Sequence, residues 1–216
     1  MQEVTYMKIL ALESSAKAAS AAICDDGKLV SQYWQASGLT HSRTLLSMTE
    51  SLLKNLDLTM ADIDAVAVAK GPGSFTGIRI GVAAAKGLAW GAEKPVIGVS
   101  TLEAMAYHLA DRENFVICPV MDARRSQVYN AKFAAKDGKL VRLCPDRAIS
   151  VDQLIAEAKS DEKPYFLVGD GAVMCYNIMS EQGVNVRIAQ EPLRLQSAWG
   201  VLMAAQNGEM ISPDDL

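Results

Sequence analysis

The sequence predicts an α/β protein of two lobes, each a mixed sheet flanked by helices. Three observations point there. Short apolar runs of strand length alternate with amphipathic or capped helical stretches. The order strand–strand–strand–helix–strand–helix occurs twice along the chain. An Asp-Gly turn, Asp26-Gly27 or Asp137-Gly138, joins paired strand patterns near the start of each round. Hairpin-joined strands, extended by parallel strands through helical crossovers, give a mixed sheet covered by helices.

Residues 8–12 (K-I-L-A-L) form an apolar run suited to a buried strand. Residues 18–24 and 29–35 flank the first Asp-Gly turn as a hairpin. Residues 42–56 are helical, with Leu45, Leu46, Leu52, Leu53 and Leu56 in one stripe. Thr59-x-x-Asp62 caps a short turn, and residues 64–69 return to strand. A glycine loop then leads into a helix over 78–90, and residues 95–99 form the next strand. Ser100-x-x-Glu103 opens a helix to about residue 111. The second round has strands at 115–121, 127–134 and 139–143. Ser150-x-x-Gln153 then caps a helix to 159, residues 164–168 form a strand, and Gly169-Asp170-Gly171 leads into a helix to about 182. A last helix over 196–206 is expected to pack back on the first lobe. The lobes are therefore expected at residues 1–105 with 196–216, and at 106–195. Two such lobes side by side form the RNase H-like architecture of actin, hexokinase and the Hsp70 ATPase.

Composition bounds the function. Half of the 216 residues are hydrophobic and 21% are charged, as in ordinary soluble domains. The net charge of −4 leaves no basic footprint for a direct grip on nucleic acid. Cys24, Cys118, Cys144 and Cys175 are too dispersed for a cysteine zinc site and fit free thiols in a reducing cytoplasm. No apolar run approaches the length of a membrane span. Residues 1–6 read as an extension of little structural weight, and acidic Glu3 argues against a signal peptide.

The densest motif is K-G-P-G-S-F-T-G-I-R-I-G at residues 70–81, with four glycines and a proline in twelve residues. It lacks the G-K-[ST] end of a phosphate-binding Walker loop. Ser74 and Thr76 are candidates to cap the following helix, whose first amides would suit an anion. Gly77, Gly81, Ala84, Ala85 and Leu88 share one face of that helix. Each interior glycine costs about 1 kcal/mol against alanine, so close packing must offset it. Either the helix at 42–56 or a helix of another protein would supply that packing. Glu13, after the first strand, is the candidate acidic residue of a nucleotide site, with Ser14 and Ser15 donating to phosphate. The competing reading is a strand-end turn with locally bonded hydroxyls. Gly169, Asp170 and Gly171 occupy the equivalent loop of the second lobe, either touching the same nucleotide or forming a plain strand-to-helix turn. The two histidines, His41 and His108, are too far apart for a paired helical metal site, and no G-x-S-x-G elbow supports a serine hydrolase.

K-I-L-A-L-E-S-S, H-S-R-T-L-L, G-P-G-S-F-T-G-I-R-I-G-V-A-A-A-K-G-L-A and G-V-S-T-L-E-A-M-A together resemble the bacterial TsaB (YeaZ) family, most closely over residues 7–107. The resemblance implies an actin-like ATPase fold and a role in making N6-threonylcarbamoyladenosine at position 37 of tRNA. It implies a non-catalytic protein that binds and activates a TsaD-like catalytic subunit, joined by a TsaE-like ATPase and meeting tRNA only through that complex. His41, Arg43, Leu46, Phe75, Gly77, Arg79, Gly81, Ala84, Ala85 and Leu88 are then the expected partner interface, and the same face is expected to form a homodimer when the protein is alone. On this reading Gly81→Arg abolishes the complex and leaves the monomer largely intact. No cofactor is expected to bind tightly; ATP or ADP with Mg would sit at the interface with the partner. TsaD-like chains carry G-V-N-H-M-E-G-H, whose two histidines hold a metal. The matching run here is G-V-S-T-L-E-A-M, with Thr101 and Met105 at the histidine positions. Neither suits a hard or borderline metal ion, which also argues against a metallopeptidase. Such chains usually continue past P-x-D-L with another strand-like stretch, whereas this sequence stops at Leu216; either weaker packing of the tail against the first lobe or no consequence for the fold is expected. The rival reading is a stand-alone nucleotide-hydrolysing enzyme built on Glu13, the glycine loop and Gly169–Gly171.

Overall fold

The computed structural model describes residues 7–216; the expectations for residues 1–6 lie outside them. The chain divides into two compact units. One runs to Ala104 and resumes at Ser197–Leu216; the other is Met105–Gln196. Among the described residues the strands form two five-stranded sheets.

The first unit is built on strands β1 (Lys8–Glu13), β2 (Ala19–Asp25), β3 (Lys28–Gln35), β4 (Ala65–Ala69) and β5 (Val96–Val99), in the order β3-β2-β1-β4-β5. β1–β2 and β2–β3 are antiparallel, while β1–β4 and β4–β5 are parallel. Helices α1 (His41–Asn55) and α2 (Phe75–Ala92) make the crossovers, and α3 (Thr101–Ala106) follows β5. Leu45 and Leu52 of α1, Ala85 and Ala89 of α2, and Leu10, Leu12, Val66 and Val68 of the strands share one core. Successive strand residues face opposite sides, so Ile9 and Ala11 face away from that core. Both are buried, and β1 and β4 contact helix α7 (Ala198–Ala205). A parallel strand covered on both faces needs a continuous apolar run, which explains K-I-L-A-L and A-V-A-V-A. Ser197 caps α7, and α7 is tied to the hairpin where Ala198 N donates to Ser20 Oγ at 3.1 Å and Trp199 N to Gln32 Oε1 at 2.8 Å. The tail bridges Val96 through Ile211, and Leu216 packs against the same core.

The second unit has β6 (Val116–Arg124), β7 (Gln127–Lys136), β8 (Lys139–Ser150), β9 (Tyr165–Val168) and β10 (Val186–Ile188), in the order β10-β9-β6-β7-β8. Helices α4 (Val151–Ser160) and α5 (Ala172–Glu181) pack Leu154, Ile155, Cys175 and Met179 against Cys118, Val120, Tyr165 and Leu167. A four-residue helix α6 spans Glu191–Arg194. This is the expected mixed sheet flanked by helices, with α6 as an addition and three further departures. The three-residue strand β10 carries no period long enough to read. β8 runs to Ser150 rather than stopping at residue 143, because β8 is an edge strand and Pro145 falls in a register shift between the Lys132–Cys144 and Asn130–Arg147 pairs. A proline is tolerated there because no ladder bond requires its nitrogen. The helix expected to about residue 111 ends at Ala106 and tightens into a 3-10 turn over Tyr107–Leu109.

Candidate functional site

The glycine loop lies at the C-terminal ends of β1, β4 and β5. Lys70 N donates to Val99 O at 2.9 Å, Thr101 N to Gly71 O at 2.9 Å, and Ser74 N to Ser15 O at 2.7 Å. The loop therefore joins the turn after β1 to the start of α3. Ser74 caps α2, its hydroxyl accepting from Gly77 N at 3.2 Å. Thr76, expected to share that role, is instead the second residue of the helix and is exposed.

The small-residue face of α2 is real, and its glycines meet the turn after β1 and the sheet. Gly77, Gly81, Ala85 and Ala89 form the buried row. A Cβ on Gly77 would lie 2.2 Å from Ser14 O. One on Gly81 would lie 2.6 Å from Ser14 Oγ and 3.4 Å from Val68 Cγ2. The close approach is thus between α2 and its own sheet. Gly77, Gly81 and Ala85 are corrected from partner contacts to intramolecular packing, and Gly81→Arg becomes a folding mutation, because no room exists for the new side chain.

The rest of the expected interface lies outward. Phe75 is 69% exposed, and the Arg79 guanidinium stacks 3.6 Å from its ring centre. Leu46 is 51% exposed on α1, and Arg43 is also exposed. Ala84 and Leu88 are half-buried. α1 and α2 touch, so these side chains lie on two adjoining helices of one unit. His41 is the first residue of α1, after the N-cap Thr40, and its Nε2 lies 2.6 Å from Ala16 O. It anchors the β1–β2 turn more than it faces outward.

Local bonding holds part of the turn after β1. Glu13 Oε1 accepts from Ser15 N at 2.5 Å. Ser14 Oγ donates to Gly77 O at 2.9 Å, so its proton is committed to the helix rather than to a phosphate. Burial drives the Glu13 carboxyl up to about 7, with the hydrogen bonds from Ser15 and Ser14 opposing the rise. Glu13 Oε2, Ser15 Oγ and Thr101 Oγ1 are buried without hydrogen-bond partners among the described residues. These orphaned oxygens are what the spacing of the sequence did not reveal. In the second unit, Gly169 has φ +112° and approaches β6 so closely that a Cβ would lie 2.2 Å from Val120 O. Gly171 N donates to Val120 O at 3.1 Å. The two glycines therefore serve a tight strand-to-helix turn, with the half-buried Asp170 between them.

A polar cluster in the second unit also escaped sequence reading, since its members come from β7, β8, α4 and, through Tyr165 beside Lys132, β9. Arg147 makes paired bonds to Glu157 at 2.6 and 2.9 Å and reaches Asn130 Oδ1 at 3.2 Å. Lys132 lies 3.1 Å from both Glu157 and Asp161. The Arg147 guanidinium, more than the Lys132 ammonium, holds Glu157 below its ordinary value against the cost of burial. Its bonds are all internal, so the cluster fixes α4 to the sheet. No three His, Cys, Asp or Glu side chains gather as a metal set among the described residues. None of the described helices is long and apolar enough to cross a membrane.

Comparison with known proteins agrees with this reading of the chain. The family model described as TsaD, tRNA N6-adenosine threonylcarbamoyltransferase, matches residues 35–204. A tRNA threonylcarbamoyladenosine biosynthesis protein TsaB from Bacillus subtilis is 34% identical over 165 residues, 76% of this chain and 71% of that protein. The protein of the same name from Escherichia coli is 41% identical over 129 residues, 59% of this chain and 55% of that protein. The solved structure of YeaZ from Pseudomonas aeruginosa superposes with a TM-score of 0.80 at 25% identity, covering 96% of both chains. With its two mixed five-stranded sheets and its glycine loop leading into α2, the chain belongs to the TsaD-related TsaB (YeaZ) family.

Proposed function

We propose that this protein acts in the cytoplasm in the formation of N6-threonylcarbamoyladenosine in tRNA, as a non-catalytic subunit that binds and activates a TsaD-like catalytic subunit. A TsaE-like ATPase joins the assembly, and tRNA is met only through it. The observation that carries this reading is the outward surface of α1 and α2. Phe75 and Leu46 are large apolar side chains left more than half exposed on adjoining helices. An apolar surface rimmed by Arg43 and Arg79 is the kind that a protein partner covers. Alone, the same surface pairs two copies of the chain.

The relatives from Bacillus subtilis and Escherichia coli carry biosynthesis names, while the family model carries a transferase's name. The positions of the TsaD-like metal histidines are held here by Thr101 and Met105, both fully buried. Ser14 and Ser15 are enclosed in the turn that supports α2, and this favours ATP or ADP with Mg binding at the interface with the partner rather than in this chain alone. The test is reconstitution of threonylcarbamoyl transfer onto tRNA by TsaD and TsaE homologues, with and without this protein. Modified tRNA should form at speed only with it. Full transfer in its absence would overturn the proposal.

A further inference from the structure

Hydrogen bonds around the end of β1 close into a ring. Glu13 Oε1 accepts from Ser15 N, and Ser15 O accepts from Ser74 N. Ser74 Oγ accepts from Gly77 N, and Gly77 O accepts from Ser14 Oγ. The glycine loop and the first turn of α2 are thereby fastened to the residues beside Glu13. That carboxyl is 0% exposed, and its second oxygen has no hydrogen-bond partner. Ser15 Oγ and Thr101 Oγ1 are buried and unpartnered in the same way on the two segments that the loop joins. A half-partnered carboxyl is tolerable in such a place as the neutral acid and costly as the anion, which seeks water.

We propose that Glu13 is a proton-operated latch on the glycine loop. With the acid protonated, the ring stays closed and α2 is held down at its N-terminus. When the carboxyl ionises, water is drawn to it and the loop loosens. The latch belongs to the first unit alone and does not depend on which partner α2 meets. The charged and titratable side chains on the surrounding elements are Lys17 in the same turn, Cys24 and Asp25 at the far end of β2, His41, Arg43, Glu50 and Lys54 on α1, Lys70 in the loop, Arg79 and Lys86 on α2 and Glu103 on α3; α7 carries none. No hydrogen bond from a charged side chain reaches Glu13, and burial is the largest influence on it.

The direction of the effect is fixed by linkage. An open loop returns Glu13 towards its ordinary value of 4.5, while the closed loop holds it near 7. Opening is therefore favoured by about tenfold per pH unit between those values and levels off above them. Amide hydrogen exchange on the full chain from pH 5 to 8 tests this. Protection factors of the Ser15, Ser74 and Gly77 amides should fall by about tenfold per unit from pH 5 to 7, while the β4 amides of Val66 and Val68 hold steady. In Glu13→Gln the loop amides should show no such slope. A flat profile in the unaltered protein, an equal slope in Glu13→Gln, or a parallel fall in β4 would overturn the latch. Should Glu13→Gln fail to fold, carboxyl carbon-13 titration of the unaltered protein decides: a midpoint near 7 supports the latch, and one near 4.5 sinks it.

Discussion

At Gly77 the backbone of α2 approaches the Ser14 carbonyl so closely that even a methyl group would collide with it. Because the obstacle is backbone rather than a flexible side chain, relief requires α2 to move off the sheet. Gly77→Ala is therefore expected to lose about 3 kcal/mol of stability, the upper part of the range for overpacking, measured by urea denaturation. Wild-type stability would show that α2 shifts freely. His108 offers a second test. Its Nδ1 lies 2.7 Å from Leu193 O, and burial pushes its pKa below the ordinary value of 6.5. The unfolded chain thus takes up a proton at higher pH than the folded one does. Stability from this residue is complete above 6.5 and declines as pH falls towards the lowered folded value. His108→Gln should flatten that acid-side slope in melting temperatures taken from pH 7 to 5. An unchanged slope would assign the acid sensitivity elsewhere. Neither effect could be read from residue types, since Gly77 and His108 acquire their surroundings from residues far along the chain.

At the level of elements, local chemistry was largely legible. Ser150 Oγ accepts from Gln153 N at 3.1 Å, and Gln153 Oε1 accepts from Ser150 N at 3.1 Å, completing the capping box at α4. Ser150→Ala is expected to cost about 1 kcal/mol and to raise hydrogen exchange in the first turn of α4 before other parts of the second unit. A cap, a hairpin turn and an apolar strand run act over a few residues, so the sequence states them openly. β10 and α6 were not visible, because three or four residues are too few to show a period. The glycine row of α2 was visible as a face for close packing, while its partner was not. Helical spacing tells which residues line up, not what lies opposite, and here the sheet lies opposite.

For the whole molecule, the outer surface of α1 and α2 is where a partner would be met. Phe75→Ala combined with Arg79→Glu removes an exposed ring and reverses the charge stacked on it. Truncating such an anchor should weaken binding to a TsaD homologue by about tenfold or more, read by calorimetry, while the melting temperature stays near that of the unaltered chain. Wild-type affinity would move the interface elsewhere. Gly81→Arg is unsuitable for this purpose, since it would lower affinity by unfolding the helix that carries the surface.

The sequence by itself determined the α/β class, the twofold repeat of strands and helices, most of the caps and the family. These depend on local propensity, apolar period and contiguous strings such as G-P-G-S-F-T-G-I-R-I-G, all properties of neighbouring residues. Only the tertiary structure decided that Gly77 and Gly81 face Ser14 and Val68, that Ser14 spends its proton on Gly77, and that Glu13 is sealed from water. The contacts with Ser14 join segments more than sixty residues apart in sequence, and Val68 reaches Gly81 across the turn between strand and helix. Burial and close contact arise when distant segments pack together, and no local pattern encodes them.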